Sequence, residues 1–207
     1  MIADKKASKS ATIAQQVSSR IRNRGRGAVF TASDFADLGT RSTIDWVLQQ
    51  LTEKNSIRRL CRGVYDYPIQ SRIVGVVPPS PEAVAKAITK RDGSQIQASG
   101  AYAANLLGLS EQLPAQIIFL TSSDERSIMI GKQKIILKKT TPRIMKMAGR
   151  TSGLITQAFK YLGKKSIDSE IIEQLKTNLT DKEKSQLKQD LAFPPAWIAD
   201  YFRKIIT

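Results

Sequence analysis

The sequence predicts an α+β fold in two parts. Helical apolar periodicity comes first, a short strand pair with a glycine turn follows at residues 57–68, and β-rich runs in the middle of the chain give way to helical patterns towards its end. The second part is expected to be a mixed α/β domain with a small sheet and C-terminal helices.

Residues 1–10, MIADKKASKS, are polar and rich in Lys and Ser, and read as a flexible basic tail. From Ala11 to Arg24, Ile13, Val17 and Ile21 recur every four residues, one stripe of an amphipathic helix. GRGAVF breaks it. Thr31 is placed to cap a short second helix, with Asp34 three residues on, Phe35 and Leu38 facing inward, and Gly39 as its stop. In TRSTIDWVLQQLTEK, Ile44, Val47, Leu48 and Leu51 follow the i, i+3, i+4, i+7 pattern of a third helix. IRRLCRGVYDYP then reads as a hairpin, in which Gly63 supplies the positive φ of a tight turn. Ile57 to Leu60 does not alternate cleanly, so a twist or bulge is expected near Arg58 and Arg59. Three helices and a hairpin, over residues 11–70, form the order of a winged helix-turn-helix, whose last helix enters a DNA groove beside a β wing.

The second domain is expected over residues 71–207. SRIVGVVPP is a β-rich run ended by two prolines, and Ser80 with Pro81 starts a helix that runs to Arg91 and stops at Asp92-Gly93. A helix over Gly100–Leu107 is rich in small residues, as close packing requires. AQIIFLTSS, SIMIG and KIILKK read as strands. Helices follow around Pro142–Met147, Ser152–Leu162, Ser166–Asn178, Thr180–Gln189 and Pro195–Ile205, with capping-box spacing at Thr180 and Glu183.

The charge is strongly positive: 33 Lys and Arg against 18 Asp and Glu, a formal net +15. Such an excess repels itself in a compact state and attracts phosphates. It is uneven, because residues 126–165 hold eleven cations and no acid. The chain has no His and one cysteine, Cys61, so histidine acid-base chemistry, an internal disulfide and Cys-based zinc clusters all fall away. No enzymatic activity, metal or cofactor is expected. Asp124-Glu125 is formally able to hold a hard cation, but reads better as a polar hairpin turn. No apolar run reaches membrane-span length and the first residues lack a signal-peptide core, so a cytoplasmic protein without a membrane partner is expected.

The side of the third helix opposite its apolar stripe nominates Arg41, Ser42, Thr43, Trp46 and Gln49 as DNA contacts, since a helix in the major groove reads bases chiefly with its first turns. Trp46 there should find cover, from DNA or more simply from the wing or the second domain. Arg58, Arg59 and Arg62 are wing candidates for phosphate or minor-groove contact, while Arg20, Arg22, Arg24 and Arg26 are placed to hold the backbone from the first helix and its following turn. Lys138, Lys139, Arg143, Lys146 and Arg150 nominate a second nucleic-acid surface, DNA or RNA, whose other reading is a solvated strand end.

SSRIRNRGRGAVFTASDFADLGTRSTIDWVLQQLTEKNSIRRLCRGVYDYP resembles the N-terminal domain of the AbiEi-like antitoxins of type IV toxin-antitoxin systems. GAYAANLLGLSEQLPAQIIFLTSSDERSIMIGKQKIILKK looks like the region that follows in a DUF6088-type branch of that family. The two stretches cover about half the chain. The resemblance implies a DNA-binding winged helix that represses its own operon at inverted repeats, with a recognition helix over Arg41–Lys54 and a wing over Ile57–Tyr67. It implies a C-terminal domain with the antitoxin activity and a nucleotidyltransferase-type toxin as functional partner, not necessarily bound directly. An RNA-binding module using residues 126–165, or a stand-alone transcriptional regulator, are the alternative functions.

Overall fold

In the computed structural model, which describes residues 11–90, 93–112 and 114–207, the first helix opens on a reciprocal cap. The Gln15 backbone N–H donates to Thr12 Oγ1 at 3.3 Å, and the Thr12 N–H donates to Gln15 Oε1 at 2.9 Å. Helix α1 (Ile13–Arg24) buries Val17 and Ile21 and ends at Gly25, whose φ of 82° a side chain would resist. The tail expected at residues 1–10 and the helix end expected at Arg91 and Asp92 lie outside the described residues.

GRGAVF ends α1 as expected, yet its last residues pair: strand β1 (Val29–Thr31) was not expected, because three residues are too few to display a period. A 3₁₀ turn over Ala32–Phe35 follows, held by the Thr31 and Asp34 capping box. Helix α2 (Arg41–Glu53) is capped by Thr40 and buries Ile44, Val47 and Leu48. Strands β2 (Arg58–Cys61) and β3 (Val64–Asp66) turn at Arg62-Gly63, with Gly63 at φ 77°. The three strands form one antiparallel sheet in the order β1-β3-β2. The register slips between Arg59 and Cys61, so the expected bulge is present. Phe30, Phe35 and Tyr65 bring their rings together over the buried residues of α1 and α2. Truncating Phe30, fully buried, is worth about 3–5 kcal/mol.

Strands β4 (Ile69–Ser71) and β5 (Gly75–Val77) pair only with each other, as a two-stranded ribbon. The chain divides into two compact units at Ala83 and Val84, later than the boundary near residue 70 read from the sequence. The ribbon's root explains the difference. Arg26 donates to the Pro68 carbonyl at 2.9 Å, Arg58 reaches the Val77 carbonyl at 3.4 Å, and Ile69 lies against Gly27, which has no side chain to hinder it.

Helix α3 (Pro81–Lys90) starts where Ser80 Oγ accepts the Ala83 N–H. The second sheet runs β6-β7-β9-β8, from β6 (Ile96–Ser99), β7 (Gln116–Thr121), β8 (Arg126–Ile130) and β9 (Gln133–Lys139), with β7 and β9 parallel and the outer pairs antiparallel. The sequence reading missed β6, whose Ile96, Gln97 and Ala98 are all buried, so no alternation marks it. Asp124 and Glu125 link β7 to β8 across the intervening β9 and do not form the hairpin turn expected of them.

Helix α4 (Gly100–Leu106) meets α6 (Thr151–Leu162) through Ala103, Ala104 and Ala158, the close approach that small residues permit. Short α5 (Pro142–Met145), then α7 (Ser169–Asn178), α8 (Asp181–Gln189) and α9 (Ala196–Ile206) complete the chain. Phe159, Leu175, Leu187, Ile198 and Phe202 form the core that joins α6 to α9. The expected box at Thr180 and Glu183 is present, and pulls Glu183 below the usual carboxylate range.

Candidate nucleic-acid interface

Helix α2 turns its apolar stripe inward, which leaves Arg41, Ser42, Trp46 and Gln49 exposed. Trp46 is 60% exposed. Within its own unit the outward angle of this side chain carries it away from the core, and the described residues there leave it uncovered. Thr43 is half-buried, and its hydroxyl joins the Thr40 cap at 2.9 Å, as Ser42's does at 3.1 Å. Arg41 Nε donates to Asp45 at 2.8 Å, and Gln49 donates to Glu53 at 3.0 Å. The acids that the helix carries are thus answered within it. An exposed i, i+4 pair is worth only about 0.3–0.5 kcal/mol, whereas a bidentate base contact discriminates by about 1–3 kcal/mol. Arg41 and Gln49 are therefore free to exchange partners.

The hairpin separates its arginines. Arg58 lies opposite Asp66 and grips it with Nε at 3.0 Å and Nη2 at 2.6 Å. The Asp66 side chain is 1% exposed, and removing the partner of so buried a carboxylate costs about 3–5 kcal/mol. Arg58 is thus engaged as a structural cation within the hairpin. Arg59 and Arg62 remain exposed. Between them, burial pushes the Cys61 thiol up while the charge of Arg59 pulls it down.

The cations of α1 divide in the same way. Arg20 makes a two-point contact with Asp37, at 2.6 and 2.7 Å, and also donates to the Asp34 carbonyl. Arg24 pairs with Asp34 at 3.2 Å and lies over the Phe35 ring. Arg26 stacks on Tyr67 at 4.8 Å while holding Pro68. Arg24 and Arg26 thus brace their own unit while staying exposed. Arg22 is exposed and has no partner among the described residues, at the edge of a cleft of about 290 Å³ floored by Ile21, Leu51 and Ile57.

In the second unit Lys138 and Lys139 are exposed at the end of β9. Arg143, Lys146 and Arg150 are otherwise employed. Arg143 donates to the carbonyls of Ala192 and Phe193 at 3.1 and 2.9 Å, and Lys146 lies over the Phe193 ring at 5.4 Å. Arg150 pairs with Asp190 at 2.7 Å, and Ser152 donates to the second oxygen of the same buried carboxylate. These three hold the turn after α8 while remaining exposed, whereas Lys138 and Lys139 project from the strand end. The sequence reading passed over Arg72, exposed in the turn of the β4–β5 ribbon; its signal was the absence of any acid from residue 67 to 81.

The chain thus has an exposed helix face, a hairpin with two outward cations and an α+β second unit. Residues 16–187 match the family of unknown function DUF6088. The chain belongs to that family. No curated protein matches it. The DUF6088 match reaches from within α1 to within α8, and so takes in the helix face, the hairpin and the second sheet together. Among the described residues of this DUF6088 chain, no helix is long and apolar enough to cross a membrane.

Proposed function

We propose that the first unit is a winged helix-turn-helix and that the chain is a DNA-binding antitoxin of a type IV toxin-antitoxin system, repressing its own operon and countering a nucleotidyltransferase-type toxin. The observation that carries the DNA reading is the bare face of α2. Trp46 stands 60% exposed between Arg41, Ser42 and Gln49, an arrangement that costs solvation in water and gains contact in a groove. Arg59 and Arg62 on the β2–β3 hairpin supply phosphate contacts from the wing position. The sheet order β1-β3-β2 beside α1, the 3₁₀ turn and α2 supports the winged-helix reading. The antitoxin role rests on the resemblance of the two quoted stretches.

The alternative, an RNA-binding module on residues 126–165, would draw on Lys138 and Lys139, while Arg143, Lys146 and Arg150 there also make internal contacts. The deciding measurement is a gel shift of the full chain on duplex DNA from upstream of its own gene, against random duplex of equal length. Preference for the upstream duplex is expected. Equal retardation of both sinks the regulator reading.

A further inference from the structure

Strands β4 and β5 pair as Ile69 with Val77, Gln70 with Val76 and Ser71 with Gly75, which leaves Arg72, Ile73 and Val74 as a three-residue tip. The tip is built. Ser71 Oγ accepts the backbone N–H of Ile73 at 3.2 Å and of Val74 at 3.4 Å, and Gly75 at φ 71° closes the loop. This geometry turns both apolar side chains outward. Ile73 is 94% exposed and Val74 70%. Val76 and Ile69 are also exposed, and Gln70 and Arg72 beside them are bare. Arg26 and Arg58 clamp the root of the ribbon to the unit that carries α2.

An exposed isoleucine and valine held at the end of a ribbon are unfavourable in water and call for an occupant. A second copy of the chain fits poorly. A stable interface buries about 800 Å² on each partner, and this is a narrow ridge rather than a face. Two copies meeting there would also bring Arg72 against Arg72, with no acid from residue 67 to 81 to answer them. Duplex DNA fits better. Architectural proteins insert isoleucine and similar side chains between base steps from the minor groove, kinking the duplex, and place cations along its rim.

We propose that the β4–β5 ribbon is a minor-groove arm, with Ile73 and Val74 the wedge that unstacks a base step and Arg72 the contact to the groove beside it. The inference rests on the DNA-binding reading above and extends it by assigning the duplex a second contact element, separate from α2 and from the β2–β3 hairpin.

The test is ligase-catalysed circularisation of duplexes from upstream of the gene, cut shorter than the persistence length of about 150 base pairs, so that bare DNA closes slowly. The full chain is compared with the double variant Ile73→Ser, Val74→Ser and with Arg72→Ala, alongside gel shifts and sedimentation of each. The wild-type chain is expected to speed closure on the order of tenfold. The double variant should still retard the duplex while losing that acceleration, and Arg72→Ala should weaken binding with a shallower salt dependence. A double variant that binds and accelerates closure like the wild type overturns the wedge. So does a wild-type dimer that the double variant converts to monomer, which gives the ridge to a second copy. A wild-type chain that retards no duplex fails the DNA reading itself, an outcome distinct from binding without bending, which removes the arm alone.

Discussion

Arg58 and Asp66 face each other across the β2–β3 hairpin, and the guanidinium closes on the carboxylate through two hydrogen bonds of 3.0 and 2.6 Å. The bulge makes this pair. Cys61 lies opposite Val64, and a regular ladder continued from there would set Arg59, not Arg58, against Asp66. The one-residue slip chooses which arginine is neutralised inside and which is left outside.

Replacing Arg58 by alanine strands a buried carboxylate, and should lower unfolding free energy by about 3–5 kcal/mol. Arg58→Lys should recover only part, because an ammonium cannot make the two-point contact. Urea titration of both variants checks this, and a loss below 1 kcal/mol would show that Asp66 is satisfied without its partner.

Arg59→Ala and Arg62→Ala should behave in the opposite way. Both side chains are exposed, so stability is expected to stay within about 0.5 kcal/mol. DNA affinity should fall across all sequences, and the slope of log affinity against log salt should shrink by about 1 for each arginine. Titrations from low to physiological salt supply both numbers.

Trp46→Ala should leave the melting temperature nearly unchanged, since the ring is mostly in water, yet weaken binding to the upstream duplex. In a chain with Trp197 replaced by phenylalanine, emission from Trp46 should shift to the blue when DNA is added. Emission indifferent to saturating DNA would place the duplex elsewhere.

Arg150→Ala should destabilise the second unit, because Asp190 is 1% exposed and shares its charge with Arg150 and Ser152. The expected cost is again about 3–5 kcal/mol. Lys138→Ala with Lys139→Ala should cost almost none. Thermal melts of the two variants separate a bracing cation from a free one.

Acid should weaken the fold at two surface points. Hydrogen bonds from Arg20 hold Asp37 below the usual carboxylate range, and the Thr180 hydroxyl and backbone N–H, with Thr151, do the same for Glu183. Both groups are depressed in the folded state, so their contribution is complete above the ordinary carboxylate range, about pH 4, and is lost as pH falls through the folded values. Asp37→Asn should therefore melt earlier than the wild type at neutral pH, with the two curves converging in strong acid. A constant offset at every pH would assign the effect to packing.

Elements with a long enough period were legible: α1 from Ile13, Val17 and Ile21, α2 from Ile44, Val47 and Leu48, and α8 from the box at Thr180 and Glu183. These signals lie within a few residues of one another, because helical and capping contacts are local. Strand β1 was too short for a period, and β6 buries Ile96, Gln97 and Ala98 in succession. Neither exists without its neighbour, β3 for the one and β7 for the other.

The same division runs through the candidate interface. The excess of positive charge and the outward angle of Trp46 are local properties and were readable from the chain itself. Whether an arginine is free to meet a phosphate was not, because that depends on what folding sets across from it. Asp66 takes Arg58, Asp190 takes Arg150, and the carbonyls after α8 take Arg143, whereas Arg59, Arg62 and Arg72 project from hairpins with no such carboxylate opposite. Charge belongs to a residue, but its availability belongs to a pair, and pairs separated by eight to fifty positions form only when register and packing bring them together.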